Sequence, residues 1–182
     1  MARRDDDEFA AFAAASGPAL RRTAYLMCGD WDRAADVVQE ALIRVYLAWP
    51  RLDPDRDARA YARRTAVRVA IDHSRKRSSR EVPTARAGDR LVADPTDLVA
   101  ERALLMAALA DLPPRQRACV VLRHYEDLSV ETVAEVLGCR TGTVKSQTAR
   151  GLDALRVAYR RHGGELAAPE PSAPAHAEEV LP

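Results

Sequence analysis

Lysine is almost missing from this chain: of 28 basic residues only Lys76 and Lys145 are lysines. Together with the abundance of alanine, that bias points to a GC-rich coding sequence more than to a physical demand. The three cysteines, Cys28, Cys119 and Cys139, are odd in number, far apart and free of CxxC or HxxxH spacing. This excludes a disulfide framework and a zinc site, and leaves them as small core or near-surface residues. The four histidines, His73, His124, His162 and His176, stand alone, so no paired acid/base or metal constellation exists and no cofactor or metal is expected. No apolar run approaches the roughly 18 residues of a membrane span, and the start Met1-Ala-Arg-Arg-Asp-Asp-Asp-Glu lacks the apolar run of a signal peptide. A soluble cytoplasmic chain with no membrane contact is therefore expected. Strand-like alternation and internal repeats are absent as well. What remains is helical periodicity in 182 residues, 47% of them apolar, enough for one ordinary domain or two small ones.

The formal net charge of +1 conceals a division along the chain. Residues 1–58 carry eight basic and eleven acidic side chains, whereas 59–80 carry eight basic ones against the single Asp72. Residues 81–139 return to six against ten, 140–161 swing to six against one, and the remaining tail has four acids. Two basic blocks separated by acidic sequence read as two polyanion contacts, because Arg and Lys facing phosphates gain from counterion release. Either block alone could also be a solvated helix face.

Periodicity places a helix over 9–27, interrupted early by Gly17-Pro18 and stopped by Gly29-Asp30. Asp32 is expected to cap a second helix that runs to Trp49 and ends at Pro50. A loop with two prolines and three aspartates follows, then a third helix over 58–77. The stretch 78–95 has linker composition. Beyond it, Asp97 can cap a helix reaching residue 110, the Leu112-Pro-Pro break follows, and helices are expected over 115–125, 130–137 and 142–159. The tail after Gly163-Gly164, rich in Ala, Pro and Glu, reads as disordered. The expected fold is all-α, with two small helical domains at 1–80 and 97–162, a flexible linker at 81–96 and a disordered tail at 163–182.

The sharpest local signal lies between Leu128 and Leu155. Ser129 can cap a short helix whose Val133, Ala134 and Leu137 face inward, Gly138 supplies a turn, and Thr141 can cap the next helix. Val144, Thr148, Leu152 and Leu155 form the inward stripe of that helix, leaving Thr143, Lys145, Ser146, Gln147 and Arg150 outside. Short polar and basic side chains at the amino end of such a helix suit a major groove. A helical hairpin with a polar surface is the plainer alternative.

In the first domain, Ala34, Val38, Ala41, Leu42, Val45 and Trp49 make a wide apolar stripe on the second helix. Asp36, Gln39, Glu40, Ile43, Arg44 and Leu47 lie on other turns and mix charge with two aliphatics, as a protein docking surface does. Ile43 and Leu47 could instead complete a core buried on both sides. On the third helix, Arg64, Arg68 and Arg75 share one face, while Tyr61, Ala62, Thr65, Ala66 and Val69 form the packing face. One aromatic and several guanidiniums beside a polar loop suit single-stranded DNA, although a solvated Arg-rich helix has the same pattern.

The string Leu112-Pro-Pro-Arg-Gln-Arg-Ala-Cys-Val-Val-Leu-Arg-His-Tyr-Glu-Asp-Leu-Ser, followed by Ala134-Glu-Val-Leu-Gly and Gly142-Thr-Val-Lys-Ser, resembles region 4 of the extracytoplasmic-function sigma factors of the sigma-70 family. Asp32-Arg-Ala-Ala-Asp-Val-Val-Gln-Glu-Ala-Leu-Ile-Arg-Val-Tyr resembles region 2.2 of the same family, and Tyr25-Leu-Met-Cys-Gly-Asp-Trp-Asp an actinobacterial, SigE-like subgroup. The resemblance covers about residues 9–80 and 98–160. It implies a sigma factor that carries core RNA polymerase to promoter DNA, with the beta-prime clamp helices on region 2 and the beta flap on region 4. Asp36, Gln39, Glu40, Ile43, Arg44 and Leu47 would then meet polymerase. Arg51, Asp53, Arg56, Arg59, Tyr61, Arg64, Arg68 and Arg75 would serve the minus-10 element, with the loop 51–59 capturing a flipped base. Thr143, Lys145, Ser146, Gln147 and Arg150 would read the minus-35 element, with Arg115 and Arg140 on the DNA backbone. Three positions depart from the family pattern: Tyr61 stands where Trp is common, Arg68 where Asn is common, and Gln147 where a basic residue is common. These leave the promoter sequences open, and an anti-sigma factor is a partner the sequence leaves open too. A conventional helix-turn-helix regulator is the main rival, and it predicts a stable dimer on palindromic DNA. Asp53, Asp55 and Asp57 lack a matching partner set, so an enzyme is not expected.

Overall fold

The computed structural model describes residues 6–52, 58–78 and 97–165, and no strand occurs among them. Seven α-helices follow one another: α1 Asp6–Cys28, α2 Trp31–Ala48, α3 Ala58–Ser78, α4 Asp97–Asp111, α5 Pro114–Val120, α6 Val130–Leu137 and α7 Thr141–Arg161. A 3-10 turn, Trp49–Arg51, ends α2 where Pro50 withholds a backbone donor, and a π turn, Val121–Tyr125, extends α5. The expected linker 81–96 and the tail beyond residue 165 lie outside the described residues.

Helices α1, α2 and α3 pack on one another around Leu20, Ala24, Met27, Val37, Val45, Ala62, Val67 and Val69. At the open end of this bundle, Phe9 and Phe12 of α1 close on Trp49, with ring centroids 5.2 and 4.9 Å away. That contact explains why Pro18, expected to interrupt the first helix, lies inside an unbroken α1: apolar packing on both sides of the proline holds the two halves in line. The cap of α2 also differs from expectation. Gly29 turns the chain at φ +73, and Asp30, not Asp32, accepts from the amides of Asp32 and Arg33, both at 2.9 Å.

In the second half, α7 is the spine on which α4, α5 and α6 pack. Ser129 caps α6 through Thr132 N–H at 3.1 Å, and Gly138 ends it at φ +63, as its position between two helical patterns requires. Thr141 is the first residue of α7, not its cap; Arg140 occupies the cap position without a side-chain hydrogen bond. Close approach of α5 and α7 depends on Gly151: a Cβ there would stand 2.7 Å from Val120 Cγ2 and 3.1 Å from the Gln116 carbonyl oxygen. The apolar core is continuous between the halves, since Leu109, Ala118, Leu122, Val133 and Val144 join the cluster built on α1, α2 and α3.

Candidate nucleic-acid interface and docking groove

The outer side of α2 is open. Ile43 is 54% and Leu47 72% exposed, so they do not complete a core buried on both sides. Asp36, Gln39 and Arg44 are exposed around them. Between α1 and α2 runs a groove of about 1040 Å³ whose floor is Val38, Leu42 and Ile43, with Phe9 and Tyr46 at one end and Trp31 and Arg21 at the other. Trp31 and Arg21 were not singled out from sequence, although an exposed tryptophan at the first turn of an amphipathic helix was a legible signal. Glu40 behaves differently from its neighbours: it pairs with Arg44 at 2.5 Å and with His73 of α3 at 2.8 Å. Burial pushes its carboxyl pKa up, but the hydrogen bonds and charges of His73 and Arg44 outweigh that and hold it below the usual range. Glu40 thus ties α2 to α3, away from the groove lining.

Helix α3 is buried on two sides, against α1 and α2 and against α5 and α6. Ala62, Thr65, Ala66 and Val69 pack as expected, joined by Val67, Ala70 and Ile71. Arg51, Arg59, Arg68 and Arg75 are exposed, while Tyr61 and Arg64 are half-buried. Arg64 Nε is buried without a hydrogen-bond partner. Asp53 and Arg56 lie outside the described residues.

On α7 the burial of Val144 and Gly151 fixes the rotation of the helix. At about 100° per residue the direction opposite them is occupied by Gly142, Ser146, Ala149 and Asp153, and Arg150 stands about 70° to one side of it. Thr143 and Gln147 flank that stripe on one edge. Lys145 stands about 160° around from Thr143, on the other edge, where its charge acts on Glu131. The sequence grouped these five side chains together; the helix divides them into a central stripe and two rims. Arg115 and Arg140 are exposed.

Burial pushes the thiols of Cys28 and Cys119 up to about 11, which leaves these two inert by environment. Among the described residues no cluster of His, Cys, Asp and Glu could hold a metal ion, and no helix is long and apolar enough to cross a membrane.

A three-helix module with an apolar groove, joined to a helix-turn-helix whose second helix presents a polar and basic stripe, defines a two-part DNA-binding protein. Residues 12–80 match Sigma-70 region 2 and residues 102–155 match Sigma-70, region 4. The RNA polymerase sigma-E factor of Streptomyces avermitilis is 41% identical over 156 residues, 86% of this chain and 87% of that one. The ECF RNA polymerase sigma factor SigW of Bacillus subtilis is 29% identical over 170 residues, 86% and 91% of the two chains. The fold is similar to that of the sigma factor RpoE in complex with the anti-sigma factor NepR from Bartonella quintana, with TM-score 0.65 and 22% identity, covering 84% of this chain and 97% of that one. It is also similar to CnrH in complex with the cytosolic domain of CnrY, with TM-score 0.63 and 24% identity, covering 86% and 90%. The chain belongs to the sigma-70 family, in its extracytoplasmic-function branch. As a sigma factor it acts with RNA polymerase and promoter DNA to start transcription at specific promoters.

Proposed function

We propose a division of labour for this sigma factor, with a region 2 domain at 1–80 and a region 4 domain at 97–162. The groove side of α2, through Asp36, Gln39, Glu40, Ile43, Arg44 and Leu47, docks the beta-prime clamp helices of core polymerase. Region 4 meets the beta flap and lays α7 in the major groove of the minus-35 element. Ser146 faces the bases, Thr143, Gln147 and Arg150 reach base edges from one side of the helix, and Lys145, Arg140 and Arg115 meet the backbone. Arg51, Arg59, Tyr61, Arg64, Arg68 and Arg75, with Asp53 and Arg56, serve the opened minus-10 element, where unpaired bases need a pocket and a neutralised backbone. The reading gives the chain no catalytic chemistry of its own and places it in the cytoplasm, where the polymerase is. An anti-sigma factor is a further partner, since a protein of similar fold, RpoE from Bartonella quintana, is held by one.

The observation that carries this reading is the pair of exposed aliphatics, Ile43 and Leu47, beside an apolar groove and ringed by exposed Asp36, Gln39 and Arg44. In-vitro transcription with purified core polymerase on a library of genomic promoters tests it. Initiation at a defined subset of promoters, absent with core alone, is the expected result; uniform initiation with and without the chain overturns it.

A further inference from the structure

A short chain of paired side chains starts beside the exposed aliphatics of α2 and ends on α3. Glu40 is shared between two partners: its Oε1 accepts from Arg44 Nη2 at 2.5 Å, and its Oε2 stands 2.8 Å from His73 Nε2. Arg44 follows Glu40 by one turn of α2, and Leu47 follows Arg44 by another, so carboxylate, guanidinium and exposed aliphatic occupy neighbouring turns. His73 comes from the second half of α3, 33 residues away in sequence.

Apolar packing already sets α2 on α3, since Ala41 and Val45 of one helix and Ala62, Ala66 and Val69 of the other are buried in one core. What the polar chain adds is direction. A free arginine on a helix surface samples many rotamers, and fixing it on binding costs entropy; a guanidinium already held by a carboxylate has lost that freedom beforehand. A carboxylate tethered only to its own helix swings together with the arginine. His73 anchors it from a second helix.

We propose that His73 is a positioning residue for polymerase docking: through Glu40 it fixes the Arg44 guanidinium at the edge of the Ile43 and Leu47 patch, and protonation of its imidazole tightens that hold. This role rests on α2 being the polymerase dock, as proposed above. Neutral imidazole offers one donor, whereas imidazolium makes a charge-assisted bond to the same carboxylate. Burial raises the Glu40 pKa, but the hydrogen bonds and charges of His73 and Arg44 outweigh it, so Glu40 stays ionised throughout the histidine range. The hold is therefore strongest below that range and relaxes as pH rises through it.

Glu40 is the carboxylate that meets this imidazole. On α3 the neighbours of His73 in sequence are Asp72, Arg75 and Lys76, and α2 brings Glu40 and Arg44. Arg21 and Arg22 of α1 line the groove, whose lining includes neither Glu40 nor His73. Toward α5 and α6, helix α3 presents Arg63, paired with Glu126, and Arg68, at the Gly138 turn; these stand about 80° and about 140° around the helix from His73. Arg115 of α5 is exposed, Arg117 bonds the Met27, Ala110 and Leu112 carbonyls, and Glu131 and Glu135 of α6 line a hollow with Arg140.

The test measures binding of the full chain to purified core polymerase by fluorescence anisotropy, at about pH 6 and about pH 8. His73→Ala is expected to weaken binding about three- to fivefold at the lower pH, the size suited to a partly exposed pair. His73→Gln keeps a donor without a titrating charge, so it should restore most of that affinity. The ratio of wild-type to His73→Gln affinity, in which the pH dependence of polymerase itself cancels, should fall about twofold from the lower to the higher pH. In an Arg44→Ala background, His73→Ala should cost nothing further, whereas a mere staple between helices would cost the same in both backgrounds. Equal losses with and without Arg44, no loss at all, or a ratio that ignores pH overturns the positioning role. Ile43→Asp with Leu47→Asp is the control on the dock: if that pair binds core as wild type does, the docking reading fails and this inference with it. Loss of binding there without the His73 effects removes the positioning role alone.

Discussion

Helices α3 and α7 carry the two basic blocks of the chain, yet the fold treats them in opposite ways. Helix α7 buries one side and leaves Gly142, Ser146 and Arg150 facing solvent, as a helix entering a groove must. Helix α3 is packed on two sides, with Arg63 paired to Glu126 and Arg68 reaching Gly138. Charge of the same sign therefore does not mean equal access. Under the assignment proposed above, reading duplex DNA needs an exposed stripe, whereas opened DNA needs a pocket for unpaired bases and a neutralised backbone. The groove between α1 and α2, proposed above as the polymerase dock, is a third case, apolar and open.

Breaking the groove should have the largest effect. Replacing Ile43 and Leu47 together by Asp is expected to weaken core binding by about 100-fold or more, since central aliphatic anchors dominate such interfaces. Circular dichroism should stay that of wild type, because both side chains are exposed. The contrast within α7 is sharpened by two single variants on a cognate promoter. Arg150→Ala should change minus-35 sequence preference by about 1 to 3 kcal/mol. Lys145→Ala on the rim should weaken binding to all sequences alike and flatten the log-log salt slope by about one unit.

A smaller effect is expected from Gly151→Ala. The added methyl meets Val120 and a backbone carbonyl that cannot move aside, so the helical preference for alanine is outweighed and region 4 loses about 1 to 3 kcal/mol in denaturant unfolding. The smallest concerns Asp111, which ties α4 to the end of α7 through Arg161 and, at 2.8 Å, His162. Burial raises its carboxyl pKa, but hydrogen bonds from His162 and Arg161 and their charge outweigh that and hold it below the usual range. The depressed value makes this contribution complete above about pH 4 and lost as pH falls through the folded value. Because the groups are partly exposed it amounts to less than about 1 kcal/mol, and Asp111→Asn should remove that part of the acid dependence of unfolding.

Legibility in the sequence followed distance along the chain. Ser129, Gly138 and the bounds Val130–Leu137 were readable because cap, turn and apolar spacing lie within a dozen residues of one another. Asp30 displaced Asp32 as a cap because Gly29 set the turn one step earlier, a choice among neighbouring aspartates that composition does not decide. Arg117 and Glu126 were passed over although both sit inside the string that carried the family resemblance. Their partners, Met27, Thr23 and Arg63, are far away in sequence and become visible only when the two modules meet. For the same reason Glu40 looked like a free rim charge until His73 was found against it.

The central claim is that α3 and the loop before it act on opened DNA, in a step distinct from polymerase docking and minus-35 reading. Abortive transcription by one holoenzyme on matched and pre-melted templates measures this directly, with residues 51–59 replaced by a Gly/Ser segment of equal length. The account predicts intact core binding, impaired initiation on the duplex promoter, and partial recovery where a mismatched minus-10 region removes the cost of unpairing. Normal activity of the loop variant on the duplex template would contradict it.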